Sequence, residues 1–134
     1  MRIGELARRT GVRVETIRWY EKAGLLKKPD RSAANYRDYD QQALARLSFV
    51  KRGRDLGFSL EQIGQLMDLT RHPTSDCATV NAIASEHLSQ IEHKIADLAA
   101  LRHELTGLVE TCSGSGAIGD CDILRALAPL GSPY

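Results

Sequence analysis

The sequence predicts an all-α chain with a small β wing, and three observations predict it. Two short amphipathic stretches meet at Thr10-Gly11. A basic, turn-rich segment with alternating aromatic residues follows them. From Cys77 to Cys112 there is no proline and only one glycine, while apolar residues recur at spacings of four and three, the period of a helix that needs a partner. The predicted architecture is a winged helix-turn-helix followed by a long dimerisation helix that forms an antiparallel coiled coil.

Each element has a local cause. Ile3, Leu6 and Ala7 share one helical face, and Thr10-Gly11 breaks that helix. Val14, Ile17, Arg18 and Tyr20-Glu21 mark the next, which ends at Gly24, a C′ glycine. Helix, glycine-containing turn, helix is the helix-turn-helix pattern. Lys27-Lys28-Pro29-Asp30-Arg31 and Asn35-Tyr36-Arg37-Asp38-Tyr39 read together as a short hairpin, the wing. Asp40 caps a third helix carrying Leu44, Leu47, Phe49, Val50 and Leu56, and Gly57 ends it. Ser59-Leu60-Glu61-Gln62 is a capping box that opens a fourth helix with Ile63, Leu66 and Met67. The expected domains are the helix-turn-helix unit 1–70, a linker 71–76, the long helix 77–111, a loop 112–121, and a short helix and tail 122–134.

The long helix carries Ala84, Leu88, Ile91, Ile95, Leu98, Leu105 and Val109 on one seam, interrupted only by Arg102. Cys77 and Cys112 are 35 residues apart, five heptads, so both fall on that seam. At 1.5 Å per residue they lie roughly 52 Å apart in one chain and cannot share an ion there. Antiparallel pairing of two chains places Cys77 of one beside Cys112 of the other. The same register matches Ile91 to Leu98 and Ala84 to Leu105. Cys121 follows Cys112 by nine residues across a Gly/Ser loop, long enough to fold back. Each end of a dimer would then gather Cys112 and Cys121 of one chain with Cys77 of the other. Three thiolates select soft divalent ions: Hg, Pb, Cd or Zn. Zinc prefers a fourth ligand, which Asp120, His72 or water would have to supply. A lone Cys on an apolar face is more often a small buried hydrophobe; the joint spacing of three favours a metal. The four histidines read as surface, linker or seam-flanking residues.

Charge divides the chain. Residues 1–56 hold 14 Lys/Arg against 7 Asp/Glu, and residues 57–134 hold 4 against 10. The basic half suits a polyanion, nucleic acid first. Thr16, Arg18 and Tyr20 on the second helix, with Tyr36 and Arg37 on the wing, are candidate contacts, since Arg reads guanine edges or holds phosphates and hydroxyls bond phosphates. Ile17 belongs to the core, and Trp19, Tyr20 and Tyr39 are alternatively core aromatics. No long apolar stretch follows Met1-Arg2, which argues against a secretory signal or membrane span and makes the cytosol the expected compartment. The three cysteines are expected as thiols there.

These motifs together resemble one family. Ile3-Gly4-Glu5-Leu6-Ala7, Gly11-Val12, Thr16-Ile17-Arg18-Trp19-Tyr20-Glu21, Gly24-Leu25-Leu26, Arg31, Asn35-Tyr36-Arg37-Asp38-Tyr39 and Leu56-Gly57-Phe58-Ser59-Leu60-Glu61-Gln62-Ile63 are similar to the signature of MerR-type regulators over essentially the whole chain. Trp19 stands where the family commonly has Tyr or Phe. The resemblance implies a DNA-binding winged helix-turn-helix with Arg31 among its contacts, an antiparallel homodimer on double-stranded promoter DNA, and a metal loop. Cys77, Cys112 and Cys121 match the ligand positions of the divalent-metal branch, whose copper, silver and gold relatives usually lack a cysteine at the position of Cys77. The spacings look most like those of mercury and lead sensors, with cadmium next and zinc last. The implied mechanism is a twist switch: metal binding untwists promoter DNA so that RNA polymerase engages both of its elements.

Other classes fit less well. An organic-ligand sensor needs more than the 22 residues after Cys112 to build a pocket. An enzyme needs a base paired with a nucleophile, which is not evident. A thiol-redox regulator using Cys112 and Cys121 is the alternative the cysteines allow.

Overall fold

A computed structural model describes residues 1–29 and 37–128. Residues 30–36 of the expected hairpin, with Arg31 and Tyr36, and the tail from 129 onwards lie outside the described residues. The chain divides into two compact units, residues 1–83 and 84–134, and each is described by itself.

In the first unit, α1 (Ile3–Thr10) and α2 (Val14–Lys22) form the helix-turn-helix. Gly11 stands at φ 74° as the C-cap of α1 and donates its amide to Ala7. Thr10 Oγ1 accepts the amide of Val12 at 3.3 Å, which shapes the turn. Past α2, Gly24 takes φ 81°, and the amide of Leu25 donates back to the Tyr20 carbonyl at 3.0 Å. Only a residue tolerant of positive φ serves at such a helix end. α3 (Gln41–Asp55) begins at Asp40, whose carboxylate accepts the Ala43 amide at 2.9 Å. α4 (Leu60–Leu69) begins with the capping box: Gln62 N donates to Ser59 Oγ at 3.1 Å, and Ser59 N donates to Gln62 Oε1 at 2.9 Å. Such caps are worth about 1 kcal/mol each.

The core joins these helices. Leu6, Ile17, Leu47, Val50 and Ile63 are fully buried, with Val12, Tyr20, Leu25, Leu26, Tyr39 and Met67 around them. Each large aliphatic side chain so buried stabilises by roughly 1.5–3 kcal/mol. Helix α1 packs on α2 and α3, and α3 on α4. Gly53 permits the last contact: a Cβ there would stand 2.8 Å from Ile63 Cγ1. Phe49 and Leu56, expected on the apolar face of α3, remain partly exposed. Among the described residues, Arg37 forms an isolated β-bridge and no longer strand occurs.

Helix α5 (Ala78–Thr111) starts after Asp76, whose side chain accepts the Ala78 amide at 3.1 Å. It contains no buried residue. In the second unit Leu88, Ile95, Leu98, Leu105 and Val109 of the seam are more than half exposed, and so is Leu101 beside them. A turn of 3₁₀ helix (Ile118–Asp120) and α6 (Asp122–Leu127) complete the unit. No helix among the described residues is long and apolar enough to cross a membrane.

Candidate metal centre and nucleic-acid interface

The two loop cysteines meet. Cys112 follows the last residue of α5 and donates its amide to the Leu108 carbonyl at 3.0 Å. Ser113, Gly114, Ser115 and Gly116 then reverse the chain. Gly114 and Gly116 take φ 71° and 93°, and Ser113 Oγ accepts the Ser115 amide at 3.3 Å while donating to its carbonyl at 3.0 Å. The 3₁₀ turn closes with Cys121 N donating to the Ile118 carbonyl at 3.0 Å. Arg125 reaches back to the Gly119 carbonyl at 3.3 Å and pairs with Asp120 at 3.4 Å. The outcome is a Cys112 Sγ to Cys121 Sγ separation of 4.0 Å, with both residues half-buried.

Electrostatics favour a thiolate here. The amide of Leu124, then that of Ile123 and the Cys112 thiol, hold Cys121 below the ordinary thiol range, against the opposing effects of desolvation and the Asp122 carboxylate. Amides directed at sulfur stabilise its anion. The donor set also fits a soft ion. Cys112 and Cys121 would hold such an ion through two soft thiolates at this separation. Asp120, a conceivable fourth ligand, is engaged by Arg125. Cys77 lies in the first unit, exposed, just before α5. Among the described residues of one chain no three His, Cys, Asp or Glu side chains converge.

The first unit presents an open groove of about 970 Å³ between α1 and α2. Arg2, Arg8, Arg18, Lys22, Lys28 and Arg37 line it. Arg18 is exposed and Thr16 half-buried, both on α2. Trp19 is 54% exposed and belongs to the surface. Tyr20 is 6% exposed. Its ring is part of the core because α2 turns the Ile17–Tyr20 face inward, and its offer to DNA shrinks to that residual edge.

Sequence reasoning missed Glu21. Its side chain is 1% exposed, yet it accepts from Arg37 Nη1 at 2.9 Å through one oxygen and from the Tyr39 hydroxyl through the other. The one available signal was its place beside the core face of α2. Burial, then the bond to Glu21, pushes the Tyr39 phenol from 10.0 up to about 12, with Arg37 opposing. A folded pKa above the unfolded value means this contribution is complete below pH 10.0 and is lost as pH rises to about 12. We expect urea-unfolding stability to fall across that window, and Tyr39→Phe to flatten the fall; an unchanged slope in Tyr39→Phe would assign the alkaline loss to other groups.

The chain is similar to known regulators over nearly its whole length. An uncharacterized HTH-type transcriptional regulator of Pseudomonas aeruginosa is 42% identical over 128 residues, 96% of each chain. The mercuric resistance operon regulatory protein of Bacillus cereus is 38% identical, covering 94% of this chain and 96% of that protein. The crystal structure of the transcription regulator PbrR691 from Ralstonia metallidurans in complex with lead(II) aligns with TM-score 0.81 at 41% identity, over 96% of this chain and 99% of that one. The family described as MerR HTH family regulatory protein matches residues 1–70, and that described as MerR, DNA binding, matches residues 44–108. With its helix-turn-helix, its basic groove and its long exposed helix, the chain belongs to the MerR family of helix-turn-helix transcription regulators.

Proposed function

We propose that this regulator is a cytoplasmic homodimer that activates transcription when one soft divalent ion, lead or mercury first, then cadmium and zinc, binds at each end of an antiparallel coiled coil. The observation that carries the reading is the Cys112–Cys121 pair at 4.0 Å beside the end of a helix whose apolar seam is uncovered. Cys77 of the partner chain supplies the third thiolate. Relatives support the metal: one is named for mercuric resistance and another is solved with lead(II).

The sensor acts on DNA through the helix-turn-helix. Thr16 and Arg18 of α2 face the major groove, and Arg37, with Arg31 and Tyr36, holds the backbone. Without metal the dimer bends the promoter and represses. Closing three thiolates around an ion draws the two DNA-binding units into a second arrangement, in which the DNA is untwisted and RNA polymerase engages both promoter elements. The ion shifts this equilibrium only by its differential affinity for the two arrangements, and the DNA must be cheap to deform by comparison.

The test is a titration of the reduced dimer with Pb, Hg, Cd and Zn separately, following thiolate-to-metal charge transfer in the ultraviolet against a competing chelator. One tight ion per protomer, lost in Cys77→Ser, is expected. The same 4.0 Å pair supports a second reading, reversible loss of two protons and two electrons from Cys112 and Cys121 to an added oxidant, giving a disulfide. No tight metal binding, together with oxidant-dependent protection of both thiols from labelling, would favour it.

A further inference from the structure

We propose that Glu21 is a positioning residue for DNA binding: its buried carboxylate holds the Arg37 guanidinium at the rim of the basic groove so that Arg37 meets a backbone phosphate. The inference rests on the DNA-binding reading of that groove.

Glu21 is out of place on two simple grounds. It adds a negative charge to a groove lined, among the described residues, by six cations, so by its own field it repels a polyanion. It is also buried, where an ionised carboxylate is costly unless paired, and a well-packed apolar residue would often serve stability as well. Glu5, the other acid among the described residues that line the groove, explains itself: it is partly exposed and pairs with Arg9 at 3.1 Å. Glu21 instead links two parts of the chain. It sits at the C-terminal end of α2, and its partners Arg37 and Tyr39 lie 16 and 18 residues further along the chain. Both carboxylate oxygens are engaged, so the carboxylate has one orientation. Arg37 is 35% exposed, and its planar fork of five N–H groups takes its direction from the group it bonds. Anchoring Nη1 on Glu21 therefore fixes how the fork meets the groove, and couples it to the helix that carries Thr16 and Arg18.

The experiment measures the affinity of the full chain for a short mixed-sequence DNA duplex against salt concentration, by fluorescence anisotropy. Salt-dependent binding by the wild type checks the DNA reading itself; its absence would remove that reading before any variant is considered. Arg37→Ala is expected to lower the log–log salt slope by about two, the loss of one phosphate contact from each protomer of the dimer. Glu21→Gln is expected to weaken binding and lower the slope equally, and the double variant to be no worse than Arg37→Ala alone. Field effects alone predict the opposite sign: removing a carboxylate would tighten binding. Tighter binding by Glu21→Gln, an unchanged slope, or full additivity with Arg37→Ala each overturns the proposal. Thermal melting establishes that the variants are folded. If Glu21→Gln is not, Glu21→Asp keeps the charge and shortens the reach, and must show the same loss of slope. An unchanged slope in Arg37→Ala, whose side chain is partly exposed, overturns the proposal without reference to Glu21.

Discussion

Cys112→Ser is expected to bind promoter DNA as the wild type does and to lose metal-dependent transcription down to the metal-free level. The substitution keeps the size of the side chain and the end of α5, where the residue 112 amide bonds Leu108. It replaces a soft thiolate by a hydroxyl that is neutral at ordinary pH and a poor ligand for Pb or Hg. Groups that merely orient a metal ligand are worth 10–100-fold in affinity, so loss of the ligand itself should cost at least about 100-fold. Cys121→Ser should behave alike, because its sulfur stands 4.0 Å from that of Cys112. A reporter assay with increasing lead or mercury, alongside duplex binding by the purified variants, checks the set. Full induction by Cys112→Ser would sink the three-thiolate sensor.

Ile95→Lys is expected to convert the dimer to monomers and to lower operator affinity by about 10²- to 10⁴-fold, the gain that linking two binding units supplies. α5 has 34 residues and none is buried within the chain. Leu88, Ile95, Leu98, Leu101, Leu105 and Val109 are all more than half exposed, and apolar side chains of this kind stabilise by roughly 1.5–3 kcal/mol each when covered. In the antiparallel register that pairs Ile91 with Leu98, Ile95 lies beside its own copy at the two-fold axis. A lysine there brings two like charges together in the middle of the seam. Sedimentation of the purified variant and its affinity for an operator fragment are the measurements. A dimer of unchanged affinity would show that some other surface joins the chains.

The two predictions differ in how far the sequence alone reaches. The helix ends were legible because each is set by a few neighbouring residues: Asp40 with Ala43, Ser59 with Gln62, Gly11 and Gly24 at positive φ. The seam was legible because a period of 3.5 residues is local too. Leu101 escaped notice because it stands one step off the a and d positions, where burial depends on the partner and not on spacing.

The aromatic run of α2 shows where this reasoning stops. Trp19 and Tyr20 are adjacent and both amphipathic, so composition left either role open to each. Packing against α1 turned Tyr20 inward and left Trp19 54% exposed. For the same reason the buried carboxylate of Glu21 was illegible. An acid beside a core face is ordinarily solvated, and its burial depends on Arg37 and Tyr39 arriving from 16 and 18 residues away.

By itself the sequence determined the helices, their caps, the basic and acidic halves, and five heptads between Cys77 and Cys112, because each follows from neighbouring residues or from a count. Only the tertiary structure decided that the loop folds back to bring Cys112 and Cys121 to 4.0 Å, and that Arg37 rests on Glu21. Those contacts close chain segments of many residues, and whether they close depends on the summed packing, hydrogen bonds and charges of everything between them.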